Sequence, residues 1–273
     1  MTLTLALAQL QIEGGATKHN RTRALDAIAE AADRDADLVV LPEIFNVGYF
    51  AFDSYAREAQ PLDGETISKL QAAARERDLA VLAGSIVEDL GASTRNGFET
   101  PTDEGYANAS AFIDEEGTIR GVYRKQHLFG YGSAEQELLT PGESLGTVEY
   151  GGFTVGMTTC YDLRFPELYR DLLDAGVSLV LVPSAWPYPR VEHWRLLPRA
   201  RAVENLLYVA AVNGVGEFDD ATLLGRSTVY DPWGTAVAGL GDEPAIMTAE
   251  VDPGAVEARR DEFPALDDWR TNQ

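Results

Sequence analysis

The sequence predicts an α/β fold built as a single domain over residues 1–273, and three observations predict it. Apolar runs of strand length alternate with helical stretches from one end of the chain to the other. Several runs, such as LVVL at 38–41 and VSLVLVPS at 177–184, are apolar at almost every position, as in strands covered on both faces. Hairpin patterns are interleaved with them, so the sheet is mixed rather than a simple doubly wound one. No linker, low-complexity tract or fixed short repeat divides the 273 residues. The core is expected over about 3–252, with a polar C-terminal tail over about 253–273.

Leu3, Leu5 and Leu7 alternate with Thr2, Thr4 and Ala6 and predict a strand over 3–10. Residues 17–35 read as a helix with Ala24, Ile28 and Ala31 on one face. Strand 38–41 follows, then a helix over 64–78 and a strand over 79–87. A polar loop at 91–105 leads to a hairpin, 106–114 with 118–124, turning at Asp114–Gly117. Residues 126–146 are Gly-rich and read as irregular. The strand 153–159 is expected to run straight into Cys160, and a helix begins near Pro166, a residue suited to the first helical turn. Strand 177–184, helix 191–206 and strand 207–213 come next. A hairpin of 225–231 and 235–239 turns on DPWG, and 245–251 is the last strand.

The charge excludes some partners. The formal net charge is −22, from 44 Asp and Glu against 22 Lys and Arg. Nucleic acid and anionic membrane surfaces would be repelled. Lys18, Lys69 and Lys125 are the only lysines, and the remaining basic residues are arginines. This balance suits either an ordinary acidic protein or a halophilic one, whose self-repulsion is screened by concentrated salt; the second reading is adopted. No stretch reaches the ~18 apolar residues of a membrane span, and the N-terminus lacks the basic region of a signal peptide. A cytoplasmic location is therefore expected. Cys160 is the only cysteine, and His19, His127 and His193 are scattered, so neither a disulfide within the chain nor a metal cluster is expected.

Three segments place a reactive side chain at the C-terminal end of a strand, where ligands gather in α/β sheets. In LVVLPEIF, Pro42 ends the strand and Glu43 follows between apolar neighbours, where desolvation raises a carboxyl pKa toward that of a general base. In GVYRKQHLF, Lys125 ends a strand and is placed to steady an oxyanion. In TVGMTTCYDLRFPELYR, a strand, Cys160, a sharp turn and a Pro-initiated helix repeat the layout of a nucleophile elbow. The backbone N–H of Tyr161 would supply an oxyanion donor there, and the helix N-terminus favours a thiolate. Taken singly, each segment reads equally as structure: a paired carboxylate, a solvated lysine, an inert buried cysteine.

Together they are specific. LPE, RK-x-H-L and CYD-x-RFPE, in that order, resemble the nitrilase superfamily of carbon–nitrogen hydrolases. The likeness extends through SAWPYPRVEHWRLLPRARAVENLLYVAAVN and RSTVYDPWG and covers about residues 3–265. The omega-amidase-like branch is the most similar. The resemblance implies a four-layer α-β-β-α sandwich and homo-oligomers, dimers or dimer-based, that associate through helices. It implies a cysteine-dependent hydrolase that cleaves the amide of a small carboxylate-bearing substrate through a thioester, releases ammonia and needs no cofactor. Glu43 would be the base, Lys125 the stabiliser of the tetrahedral intermediate and Cys160 the nucleophile. A second glutamate precedes Pro-Gly in the family, and Glu135 holds that place, with Glu137 as competitor. By analogy Tyr49, Phe129, Trp186 and His193 line the pocket, although Tyr49 and Trp186 suit the core as well. Arg164 is expected to pair with Glu167, and Arg199 and Arg201 with Glu204. Cleavage of N-carbamoyl amines or, further off, of nitriles is the alternative chemistry, since CYDLRF departs from the CWEN-like residues of nitrile-cleaving members. A non-catalytic binding subunit is the alternative of another class.

Overall fold

The computed structural model describes residues 2–131 and 133–270. The first half runs β1 (Leu3–Gln9), α1 (Thr17–Ala32), β2 (Leu38–Val40), α2 (Tyr55–Glu58), α3 (Glu65–Arg77), β3 (Ala80–Leu82), β4 (Ile86–Asp89), α4 (Leu90–Arg95), β5 (Tyr106–Ile113), β6 (Ile119–Arg124) and α5 (Glu135–Leu138). The second runs β7 (Gly146–Tyr150), β8 (Phe153–Met157), α6 (Pro166–Asp174), β9 (Leu179–Ser184), α7 (Val191–Asn205), β10 (Tyr208–Asn213), β11 (Val215–Phe218), β12 (Ala221–Leu224), β13 (Thr228–Tyr230), β14 (Ala236–Gly239), β15 (Ala245–Val251), α8 (Pro253–Glu262) and α9 (Ala265–Arg270).

Two mixed sheets result. The seven-stranded one has the order β15-β1-β2-β3-β5-β4 with β6 paired to β5, and the six-stranded one has the order β14-β13-β10-β9-β8-β7. The period-2 alternation of the strands assigns their side chains to layers. Leu3, Leu5 and Leu7 of β1 pack with Leu179 and Leu181 of β9 and with Ala210 and Val212 of β10, which places the two sheets face to face. Ala6 and Ala8 of β1 and Val39 of β2 point the other way, against Ala24 and Ile28 of α1 and Ile67 and Leu70 of α3. Val180 and Val182 of β9 likewise meet Leu168 and Leu172 of α6 and Trp194 and Ala202 of α7. Three apolar layers thus separate four layers of secondary structure, the expected α-β-β-α sandwich. Among the described residues no helix is long and apolar enough to cross a membrane.

Several boundaries differ from the sequence reading. The run 79–87 is two strands, because the chain turns at Gly84, where φ is +49° and an added Cβ would collide with the Pro42 carbonyl oxygen. The 153–159 strand stops at Met157, so Cys160 opens a 3₁₀ turn, Cys160–Arg164, rather than ending a strand. The loop at 91–105 begins with α4, and the irregular stretch 126–146 holds α5. The β11–β12 pair is additional; it is a polar-edged hairpin whose short strands lack a clear period. The stretch read as a polar tail folds as α8 and α9, fixed by the buried Val256 and Leu266. Val256 and Leu266 stand among charged residues such as Arg259, Arg260, Asp267 and Asp268, a spacing that does not register as periodicity.

Candidate active site

Glu43 sits beyond β2, where the backbone is clamped. Ile44, with φ +42°, donates its N–H to Ser85 Oγ at 2.8 Å, and Ser85 N–H donates to the Pro42 carbonyl at 3.3 Å. Lys125 extends β6, its N–H bonded to the Asn108 carbonyl of β5 at 2.9 Å. Cys160 has φ +47°, a conformation that costs a non-glycine residue ~1–3 kcal/mol and persists only where the surroundings over-determine it. The first two segments come from the seven-stranded sheet and the third from the six-stranded one, so the site lies where the sheets meet.

The structure brings Glu43, Lys125, Cys160 and Glu135 together. Lys125 Nζ donates to Glu43 Oε1 at 2.8 Å and to Glu135 Oε1 and Oε2 at 2.9 and 3.0 Å, with both carboxylates fully buried. Asn108 Nδ2 bridges the same two groups, at 2.9 Å to Glu43 Oε1 and 3.2 Å to Glu135 Oε1. Tyr49 Oη donates to Glu135 Oε2 at 3.0 Å and the Phe129 N–H at 2.6 Å. Ala185 N–H donates to Glu43 Oε2 at 2.9 Å, and the Cys160 thiol lies near enough to Glu43, Lys125 and the Ala185 N–H to feel all three. Glu137 is exposed, so the buried position falls to Glu135.

Burial pushes the Glu43 carboxyl up, with Lys125 pulling it back and Glu135 adding to the rise. Burial and then the Glu43 charge hold the Cys160 thiol well above the usual thiol range, against the opposing pull of Lys125 and the Ala185 N–H. For Lys125, burial alone favours the neutral amine, but Glu135 and Glu43 outweigh it and keep the ammonium charged. The resting arrangement is therefore a protonated thiol near a buried carboxylate of raised proton affinity and a fixed cation. That is the arrangement a general base, a nucleophile and an anion-stabilising group require.

A cleft of about 1000 Å³ opens above these groups. Tyr49, Phe129, Tyr161 and Trp186 line it, and Tyr49 and Trp186 are buried as well. His193 is a correction: it stays outside the lining, because α7 carries it to the surface, where its Nδ1 takes a hydrogen bond from Arg164 Nη2 at 3.1 Å. Arg164 does not pair with Glu167; it turns into the cleft, over the Trp186 ring at 5.0 Å and the Tyr161 ring at 5.7 Å. Arg190 lies on the same cleft over Phe129, at 5.7 Å. Arg201 pairs with Glu204 at 2.6 Å. Sequence reasoning missed Asn108, Ser85 and Ala185. Asn108 left one signal, a polar amide in the otherwise apolar strand YANASAFI.

A sandwich of this kind, with a thiol, a carboxylate and a charged ammonium sealed at the floor of one cleft, defines a class: hydrolases that attack carbonyl–nitrogen bonds with cysteine. The profile of the carbon-nitrogen hydrolase family matches residues 4–261. A 2-oxoglutaramate amidase of Paenarthrobacter nicotinovorans is 31% identical over 99% of this chain and 90% of its own. Omega-amidase NIT2 of Homo sapiens is 35% identical over 98% and 95%. Among solved structures, Saccharomyces cerevisiae Nit3, a member of branch 10 of the nitrilase superfamily, superimposes with a TM-score of 0.85 at 31% identity, covering 96% of this chain and 94% of that one. The chain belongs to the carbon–nitrogen hydrolase family, in the omega-amidase-like branch of the nitrilase superfamily.

Proposed function

We propose that the protein hydrolyses the terminal amide of a small carboxylate-bearing substrate, with Cys160 as nucleophile, Glu43 as general base, Lys125 as oxyanion partner and Glu135 as second glutamate. The observation that carries this reading is the buried Glu43–Lys125–Glu135 hydrogen-bond set, with Lys125 and Cys160 together lining the cleft. Glu43 accepts the thiol proton as the sulfur attacks the amide carbon. Lys125 and the Tyr161 N–H steady the oxyanion. Collapse breaks the C–N bond, and the proton on Glu43 leaves with the nitrogen as ammonia, giving a thioester. Glu43, with Glu135 beside it, then takes a proton from water, the hydroxide adds to the thioester, and collapse expels the sulfur, which recovers its proton.

The cleft also supports the substrate class. Arg164 and Arg190 line it, and among the described residues neither has a carboxylate partner, in a chain where acidic residues outnumber basic ones 44 to 22. A guanidinium left over from so many carboxylates is a ready anchor for an anionic substrate. Succinamate is expected to be hydrolysed with a kcat/KM about 10-fold or more above that of butyramide, a charge-assisted hydrogen bond being worth roughly 1.5–3 kcal/mol. Arg164→Gln or Arg190→Gln should raise KM for succinamate alone. Ammonia release measured for both substrates decides it: butyramide equal or better would make the enzyme a general aliphatic amidase.

We also propose a cytoplasmic, salt-adapted homo-oligomer. Leu196 and Val203 stand exposed on the outer face of α7 and support helix-mediated association. The net charge of −22 supports the salt adaptation. The melting temperature is expected to climb steadily from dilute buffer to molar salt as repulsion is screened. A flat melting temperature across that range would remove the salt-adapted reading and leave the enzymatic one standing.

A further inference from the structure

We propose that Asp162 is a positioning residue that holds the nucleophile turn in register with the lysine-bearing segment. The inference rests on the roles proposed above for Cys160 and Lys125. Asp162 is fully buried and is not part of the cleft lining. Its Oδ2 accepts from the Thr159 N–H at 2.9 Å and from Tyr123 Oη at 2.6 Å. Its Oδ1 accepts from the His127 N–H at 3.1 Å and from His127 Nδ1 at 2.8 Å. Tyr123 Oη in turn accepts from the Gln126 N–H at 3.3 Å.

The pattern of donors points to placement rather than to general stability. Thr159 immediately precedes Cys160, while Gln126 and His127 immediately follow Lys125. One carboxylate therefore pins the backbone on the near side of the sulfur and on the far side of the ammonium, across the seam between the sheets. Among the described residues neither lysine nor arginine is one of its partners, so the carboxylate is met by the hydrogen bonds from Thr159, Tyr123 and His127. A side chain needed only to fill this space would do so at less cost as a hydrocarbon, because burying a carboxylate is expensive and apolar replacements of buried charges are often neutral or better. The local geometry shows what the carboxylate does instead. Cys160 is held at φ +47°, and the Thr159–Asp162 bond closes the turn around it. The His127 ring, stacked on Phe165 with 3.7 Å between centroids and 7° between planes, fixes the donor that faces Oδ1.

The test uses Asp162→Asn and Tyr123→Phe in the full chain. The asparagine keeps the shape but exchanges one acceptor oxygen for a donor, so in either orientation one backbone N–H, of Thr159 or of His127, loses its acceptor and the Tyr123 hydroxyl or the His127 ring must reverse its role. Its kcat for succinamate should fall about 10²-fold, the scale of an ångström-sized misplacement, with KM little changed. Alkylation of Cys160 by iodoacetamide should slow as well. Tyr123→Phe removes a single donor, should fold normally, and should lower kcat about 5-fold. In the double variant the losses should be less than multiplicative. A folded Asp162→Asn with wild-type kcat and alkylation rate overturns the proposal, and so does one that changes KM alone. Should Asp162→Asn fail to fold, Tyr123→Phe decides, and unchanged kcat and alkylation there overturn the proposal. Wild-type protein that hydrolyses no amide would instead sink the functional reading, and the alkylation rates would still report on the turn.

Discussion

Replacing Cys160 with alanine lowers ammonia release by at least about 10⁴-fold, the scale seen when a covalent nucleophile is removed, while the protein stays folded. The loss follows from the chemistry: among the described residues at the floor of the cleft, Lys125 is held as an ammonium, Tyr49 as a phenol whose proton burial retains, and the Glu43 and Glu135 carboxylates are tied to Lys125, so none replaces the thiol. The fold is spared because only one small sulfur is lost, and alanine at φ +47° is no more strained than cysteine. A melting temperature within roughly 4 °C of wild type is expected. Steady-state ammonia release and a melting curve on the same preparation check both halves. Turnover close to wild type would end the covalent mechanism.

The second large effect is expected from Lys125→Arg. The charge is kept, but Lys125 is fully buried and its single nitrogen reaches three carboxylate oxygens at 2.8–3.0 Å. A planar guanidinium has its donors in a fixed fork and more bulk than the space admits, which costs ~1–3 kcal/mol in overpacking. It either displaces Glu135 from Tyr49 and Phe129 or turns its donors away from the reacting carbonyl. The expected loss in turnover is about 10²–10³-fold, the amount attached to one oxyanion donor. Near wild-type rates would show that any cation on that side of Glu43 suffices.

Much of this site was legible because its reactive groups stand just beyond the apolar strands 38–41, 118–124 and 153–159. Strand ends are what periodicity detects. Glu135 was also legible, but only through resemblance; the structure adds that it is buried while Glu137, two residues on, is exposed. The supporting groups were not legible, for a physical reason. Asn108 acts through a side chain brought in from β5 and Ser85 through one from the turn between β3 and β4, while Ala185 acts through a backbone N–H, to which sequence is blind. His193 fails for the opposite reason: its HW motif is plain in the sequence, yet the turn of α7 points the ring outward. The four layers were not readable from alternation alone, since Leu3-Leu5-Leu7 announces a buried face without saying whether a helix or another sheet covers it.

The seam between the sheets has a consequence for how the molecule can lose function. Glu43 and Lys125 hang from one half of the sandwich, the Cys160 sulfur and the Ala185 amide from the other, and the halves are joined by side-chain packing in the middle layer and by hydrogen bonds at the seam such as Ala185 N–H to Glu43 and Tyr123 Oη to Asp162. Ladder hydrogen bonds resist the parting of strands, whereas the two faces meet through the interlocking of residues such as Leu5, Phe112, Leu181 and Val212. The catalytic geometry is thus a gauge of shear. A slip too slight to disturb either sheet would shift the sulfur relative to Glu43 and Lys125, so a loosened aliphatic middle would be registered first at the cleft.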